Sequence, residues 1–278
     1  MRFSRVLKSK TKQSINTLQE ILKINRLSTN ELSGNLNSIS YSKIFKGSTL
    51  EVPFSLGRTI RGVAFEEYEL DPVSFCLSRQ DMYNFDHEMF AKDFNNICVS
   101  ENNKQVKDFI SNINKKDILD FPVWAIAFPW EDNSFYNLKK NYLQLLIKNR
   151  KDYTKSSIVG ENNKILDLPF ALSHGVQYKN LISKITTEGF NKNYPRPGIY
   201  ILINQKKWRW VMAGNGNHRA YTMSALRFPS LPVSIIKVID RSKSSQWNNV
   251  LNGEYTKRGA EEIFDIVFRG ITRIRGCY

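Results

Sequence analysis

Asn215-Gly216-Asn217-His218-Arg219 is the densest run of chemically capable residues in the chain. Glycine reaches positive φ at low cost, so Gly214 to Asn217 reads as a small, flexible loop. Directly after it, Ala220, Met223 and Leu226 recur at helical spacing, and Phe228-Pro229 ends the helix. A loop of this kind leaves backbone N–H groups free at the start of a helix, where they and the helix dipole attract phosphate. An ordinary helix prefers acidic residues in its first turn, yet His218 and Arg219 stand there. A cationic pair at this point suits a bound anion. Arg219 would clamp phosphate oxygens with its planar fork, and His218 would donate to a phosphate or shuttle a proton. Gly/Asn loops ahead of helices are common; the strand context and the adjacent His-Arg pair single this one out.

The elements that must position the loop are legible on both sides of it. Tyr178, Leu181, Ile182 and Ile185 form one apolar helix face, and Gly189 is a natural stop. Pro195 and Pro197 punctuate the next connection. Residues 199–203 read as a strand, 204–207 as a turn and 208–212 as a second strand, so the pair predicts a β-hairpin. Residues 231–239 predict a third strand, apolar enough to be central, in one sheet with the hairpin and with the 218–227 helix packed on it. Upstream, the signals are weaker. Residues 1–30 are basic and read as a helix with a frayed start, and 31–50, rich in Ser, Asn and Gly, as a loop or linker. Leu56 to Gly62 sets Arg58 and Arg61 between two glycines, which predicts a turn with exposed charges, with phosphate binding as the sharper reading. His87 and Glu88 fall in a predicted helix, and 101–118 reads as a surface helix and connection. Phe121 to Trp130 predicts a buried strand between prolines, and 136–151 an amphipathic helix. The expected organisation is 1–50 as basic helix and linker, 51–170 as an N-terminal α+β region contributing to a substrate cleft, and 171–278 as the unit that carries the loop.

The order of elements from about 172 to 240 resembles the ParB/sulfiredoxin superfamily. The resemblance rests on Gly189, the two prolines, the 199–212 hairpin, Gly216-Asn217-His218-Arg219 and Leu231-Pro232-Val233, about a quarter of the chain. It implies an α/β (α+β) fold with a mixed sheet and packed helices, preceded by an N-terminal α+β extension. It also implies that Gly214, Asn215, Gly216, Asn217, His218 and Arg219 hold the phosphates of ATP or CTP, with Mg2+ as the nucleotide's companion. Asn217 stands where sulfiredoxins carry a catalytic cysteine, so sulfinate reduction is not implied. Asn215 stands where the related free serine kinases carry Asp, and an amide cannot take a proton at neutral pH. A kinase-like enzyme therefore needs a carboxylate from elsewhere. Glu188 is the first choice, Asp240 the second, and Glu254 also lies within reach in sequence, with His218 completing the candidate catalytic set. The 38 residues after Asp240 leave room for one or two closing helices and not for a DNA-binding domain plus a dimerisation domain.

The expected function is a nucleotide-dependent phosphotransferase acting on a small molecule. A nucleic-acid-binding or nucleotide-sensing module, a nuclease among them, and a catalytically degenerate fold member are the alternatives. The net charge of +15 keeps nucleic acid among the expected partners, although the charge is spread along the chain. Hydrophobic residues make up 41% and aromatics 12%, enough for a packed core. The longest apolar run, 121–130, contains two prolines and is too short to span a bilayer, and the N-terminus lacks the apolar stretch of a signal peptide. Three cysteines without CxxC spacing argue against a disulfide framework and a zinc site. The three histidines are far apart in sequence and form no ligand pair, so no metal site is expected in the protein itself. A reducing, cytoplasmic home follows from these readings.

Overall fold

The computed structural model describes residues 49–101, 104–110, 113–121, 125–138, 168–190, 195–205 and 207–274. The predicted basic helix over 1–30, the linker up to 48 and most of the predicted 136–151 helix lie outside the described residues. The fold is α+β. Five strands, β1 (Thr49–Pro53), β2 (Gly57–Arg58), β3 (Gly198–Asn204), β4 (Lys207–Met212) and β5 (Ser230–Asp240), form one mixed sheet in the order β1-β5-β3-β4-β2. The hairpin β3–β4 is antiparallel, β5 runs parallel to β3, β1 is antiparallel to β5, and β2 is parallel to β4. Both edge strands therefore come from residues 49–58, where the sequence reads as linker and mixed pattern. The sheet draws its strands from both sides of residue 170.

Side chains alternate across the sheet with a period of two. Ile199, Ile201, Ile203, Trp208, Trp210 and Met212 face one core, while Leu202 and Val211 face the other. On β5 the alternation slips. The register with β3 jumps from Ile235 to Lys237, so one extra residue in β5 puts both Ile235 and Val238 on the first face.

The first face is covered by four helices: α1 (Pro72–Ser78), α2 (His87–Glu101), α3 (Leu168–Glu188) and α4 (Asn217–Ala225). Tyr178, Ile182 and Ile185 of α3 are buried there, as their spacing predicts. The second face carries α6 (Lys257–Arg269), which follows the short α5 (Asn248–Leu251). Ala260, Ile263, Phe264, Val267 and Phe268 of α6 are buried at i, i+3, i+4, i+7 and i+8. Burial of the larger ones contributes roughly 1.5–3 kcal/mol each. Thr256 caps the start of α6 by accepting from Gly259 N–H at 2.9 Å.

Two departures from the sequence expectation have clear causes. Ala125 to Trp130 is fully buried, as expected, but it is irregular and not a strand. Its backbone groups are satisfied by side chains instead of by a neighbouring strand. Tyr255 donates to Ala127 O at 2.7 Å, Asn249 to Phe128 O at 2.9 Å, and Phe128 N–H to Glu131 at 2.9 Å. The second departure is the segment after α2, where the described residues form short 3-10 turns at Val106–Asp108 and Lys116–Asp120 in place of a longer surface helix.

Candidate functional site

The loop predicted to bind phosphate is built by β4, which ends at Met212, and by α4, which begins at Asn217. Gly198 N–H donates to Asn215 O at 3.2 Å, tying the loop to the start of β3. Gly216 is the N-cap of α4 with φ of 85° and makes no side-chain cap. A Cβ there would meet Pro197 at 2.8 Å, so both conformation and space demand glycine. No acidic side chain occupies the first turn. That turn keeps its positive dipole end, and the Arg219 guanidinium adds to it.

The C-terminal half of α3 lies alongside. Leu181, Ile185 and Phe190 give a cleft of about 360 Å³ its apolar wall, Lys184 and Glu188 its charged rim, and Gly216 and Arg219 the opposite side. Glu188, first among the candidate carboxylates, is exposed and borders the same cleft as Arg219. Arg219 is half-buried, and burial lowers its pKa from the ordinary value. Its Nη1 is withdrawn from solvent without a hydrogen-bond partner among the described residues, and the same holds for Asn217 Oδ1. Asn215 is exposed on the loop. Asp240 and Glu254 stand elsewhere. Asp240 pairs with Ile203 at the far end of β3, about 17 Å along the strand from Gly198. It accepts from Ser242 N–H and Oγ at 2.9 and 2.7 Å, capping a short turn. Glu254 is buried and belongs to the second face, where Phe135 N–H donates to it at 3.4 Å.

His218 also borders the cleft, and it has a partner that sequence spacing does not reveal. Its Nε2 lies 3.2 Å from Nδ1 of His174, one helical turn before Tyr178 on α3. The two rings are 5.1 Å apart, Tyr178 lies 5.1 Å from His218, and Phe94 stacks on His174 at 6.1 Å. Burial pushes the His174 pKa down to about 4, with His218 and the Arg61 guanidinium adding to the shift. Burial and Arg61 lower His218 as well. Both imidazoles are therefore neutral at pH 7, one donating and the other accepting. His218 is a neutral hydrogen-bonding group here, not a source of positive charge. The separation of the histidines in sequence conceals a contact between them. The available signal was the α3 face itself, which extended one turn back from Tyr178 reaches His174.

Behind the pair lies a buried polar network. Asp71 is fully buried and caps α1, accepting from Val73 and Ser74 N–H at 3.0 and 3.1 Å. Its other oxygen accepts from Tyr221 OH at 2.9 Å and from Arg61 Nη1 at 3.5 Å, and Arg61 also donates to Tyr221 OH at 3.1 Å. Arg58 is buried too. It donates to Val267, Phe268 and Arg269 O at 3.1, 2.8 and 3.2 Å, closing the C-terminal end of α6. Gly270 follows at φ 73°, where a Cβ would come within 2.3 Å of Arg58 Nε. The expectation of a turn with exposed charges at Leu56–Gly62 is thus corrected. Helix-end carbonyls and a buried carboxylate compensate both guanidinium groups, which a local reading of the segment cannot show.

Among the described residues, no helix is long and apolar enough to cross a membrane, and no group of three or more His, Cys, Asp or Glu is placed to hold a metal ion. Cys76 is a free buried thiol, its pKa pushed up to about 12 by burial. Cys98 is disulfide-bonded, where cysteine count and spacing argued against a disulfide framework. Spacing does not tell which sulfurs meet in space. No protein-family model, curated protein or solved structure matches the chain.

Proposed function

We propose that the protein is a nucleotide-dependent phosphotransferase acting on a small molecule, with the nucleotide in the cleft between α3 and α4. The observation that carries this reading is the meeting of Gly216, Arg219 and Glu188 around one cleft, with Arg219 Nη1 unpartnered among the described residues. An uncompensated buried donor on a cationic group calls for an anion. The first-turn N–H groups of α4 supply further donors for phosphate oxygens. Leu181, Ile185 and Phe190 offer apolar surface to the base or sugar. Glu188 would accept the proton of the acceptor hydroxyl as it attacks the terminal phosphoryl group, whose bond to the β-phosphate oxygen breaks to release the nucleoside diphosphate; Asn215 cannot fill that role. His218, kept neutral by burial and the nearby Arg61 guanidinium, would orient a phosphate by hydrogen bonding. The same strand, Gly/Asn loop, helix and strand order supports membership of the ParB/sulfiredoxin superfamily.

Magnesium would arrive with the nucleotide. Among the described lining residues Glu188 is the one carboxylate, and with it serving as base the ion would be held by phosphate oxygens and water. Bound there it would offset phosphate charge. The +15 charge supports a second reading, nucleic-acid binding. Turnover separates the two. Full-length protein is assayed with ATP or CTP and a panel of sugars and amino acids, alongside Glu188→Gln. The phosphotransferase reading predicts product with one acceptor class and a loss of about 10²–10⁴-fold in the variant with nucleotide affinity intact. No turnover with any acceptor, together with salt-sensitive binding to DNA or RNA, would replace it with the second reading.

A further inference from the structure

The other end of α4 borders a second, smaller cavity. It measures about 210 Å³, and Tyr68, Ser74, Gln80, Tyr221, Ser224 and Arg227 supply its polar lining. Leu77 and Met82 provide apolar wall. No carboxylate is among the lining residues. Asp71, which accepts from the lining residue Tyr221, is also engaged by Arg61. The surplus in this cavity is one of donors.

Three features point to an occupant. First, Gln80 uses its Oε1 to accept from Asp86 N–H at 3.2 Å, which fixes the orientation of the amide, while its Nε2 is withdrawn from solvent with no partner among the described residues. Second, the buried Ser74 and Ser224 contribute hydroxyls to the lining. Third, α4 ends in a turn that ordinarily takes glycine. Phe228 N–H donates to Met223 O and Arg227 N–H to Ser224 O, both at 3.0 Å, which places Arg227 in the left-handed region at φ 62°. A side chain is disfavoured at such a position, yet arginine occupies it. Its guanidinium lies 4.9 Å over the Tyr68 ring and donates to Tyr68 OH. A local rule broken in this way, beside a cavity with an orphan donor, is the pattern of a ligand clamp.

We propose that this cavity binds a small hydroxylated oxyanion, a carboxylic acid or a phosphate compound well below nucleotide size. Its anionic group sits on Arg227 and Gln80 and its hydroxyls on Ser74 and Ser224. The site is separate from the α3–α4 cleft and does not rest on the phosphotransferase reading. Glycine is favoured at the end of α4, so Arg227→Gly removes the clamp while easing the backbone, and loss of binding cannot be blamed on misfolding. Full-length protein is titrated by calorimetry with inorganic phosphate and, separately, with glycerate, malate and serine. Saturable binding of one class is expected, weakened about tenfold or more by Arg227→Gly and also by Gln80→Leu. The binding meant is the component that persists in Arg219→Ala, where the phosphate contact of the other cleft is removed. Saturation by phosphate identifies a phosphate ligand, and saturation by the organic acids alone a carboxylate. No saturable binding of any probe would overturn the proposal, as would binding that survives Arg227→Gly or disappears in Arg219→Ala.

Discussion

Lowering the pH should destabilise the protein through the His174–His218 contact, and the size of the effect follows from its burial. In the unfolded chain His174 takes a proton near its ordinary pKa of 6.5; in the folded chain it does so only at about 4. Between those values the unfolded state binds a proton that the folded state does not. Stability is therefore fully present above the unfolded pKa and falls as pH drops through the window, levelling off below about 4. At about 1.4 kcal/mol per unit, the whole shift corresponds to about 3 kcal/mol. By pH 5 about 2 kcal/mol of it should be lost. His218 is lowered as well and acts with the same sign. Urea unfolding followed by tryptophan fluorescence at pH 8 and pH 5 measures the loss directly. Carboxylates also titrate toward the lower end, so the comparison is with His174→Phe, which keeps an aromatic ring beside Phe94 and removes the titrating group. The wild-type protein should lose about 2 kcal/mol more than the variant between the two pH values. An identical pH dependence in both proteins would refute the reasoning, because the contact would then not exclude the proton.

Other perturbations test neighbouring parts of the account. Gly216→Ala should cost about 1–2 kcal/mol of stability from positive φ alone, with contact against Pro197 adding to it, and should weaken nucleotide binding; thermal unfolding and titration read both. Arg58→Met should destabilise by about 3 kcal/mol in chemical unfolding, since it releases three carbonyls at the end of α6. Asp71→Ala should be more damaging, about 3–5 kcal/mol, because it takes the carboxylate away from the buried Arg61 charge and uncaps α1. An unchanged midpoint in either variant would show that the buried arginine is compensated by other means.

The parts of the fold that were legible share a strong local signal. Ile199 to Met212 announces a hairpin by apolar runs around a polar turn, and Leu231 to Ile239 announces a central strand by continuous burial. Tyr178 to Ile185 announces α3 by its period. In each case the residues that set the conformation lie within the segment itself. The edge strands were not legible, because Thr49–Pro53 and Gly57–Arg58 are short and become strands only by pairing with β5 and β4. Phe121 to Trp130 misled because its apolar character reports burial and not conformation, and the partners of its backbone lie more than a hundred residues away at Asn249 and Tyr255. At the site, the Gly/Asn loop and Glu188 are brought to one cleft by the stop at Gly189 and the hairpin between them. Asp240 goes to the far end because β5 leads away from the loop. The places of His174, Arg61 and Asp71 beside the site were hidden for one reason. Each reaches the site across a tertiary contact, and a lone histidine or arginine in a sequence carries no mark of what will face it.

The central claim is that the α4 loop and Arg219 hold nucleotide phosphate, and calorimetric titration of the full-length protein with MgATP and MgCTP tests it most directly. The account predicts saturable binding of at least one nucleotide, weakened roughly 10- to 100-fold in Arg219→Ala, as the loss of a charge-assisted contact worth about 1.5–3 kcal/mol requires. Absence of binding to the wild-type protein, or equal affinity in a folded Arg219→Ala variant, would contradict it.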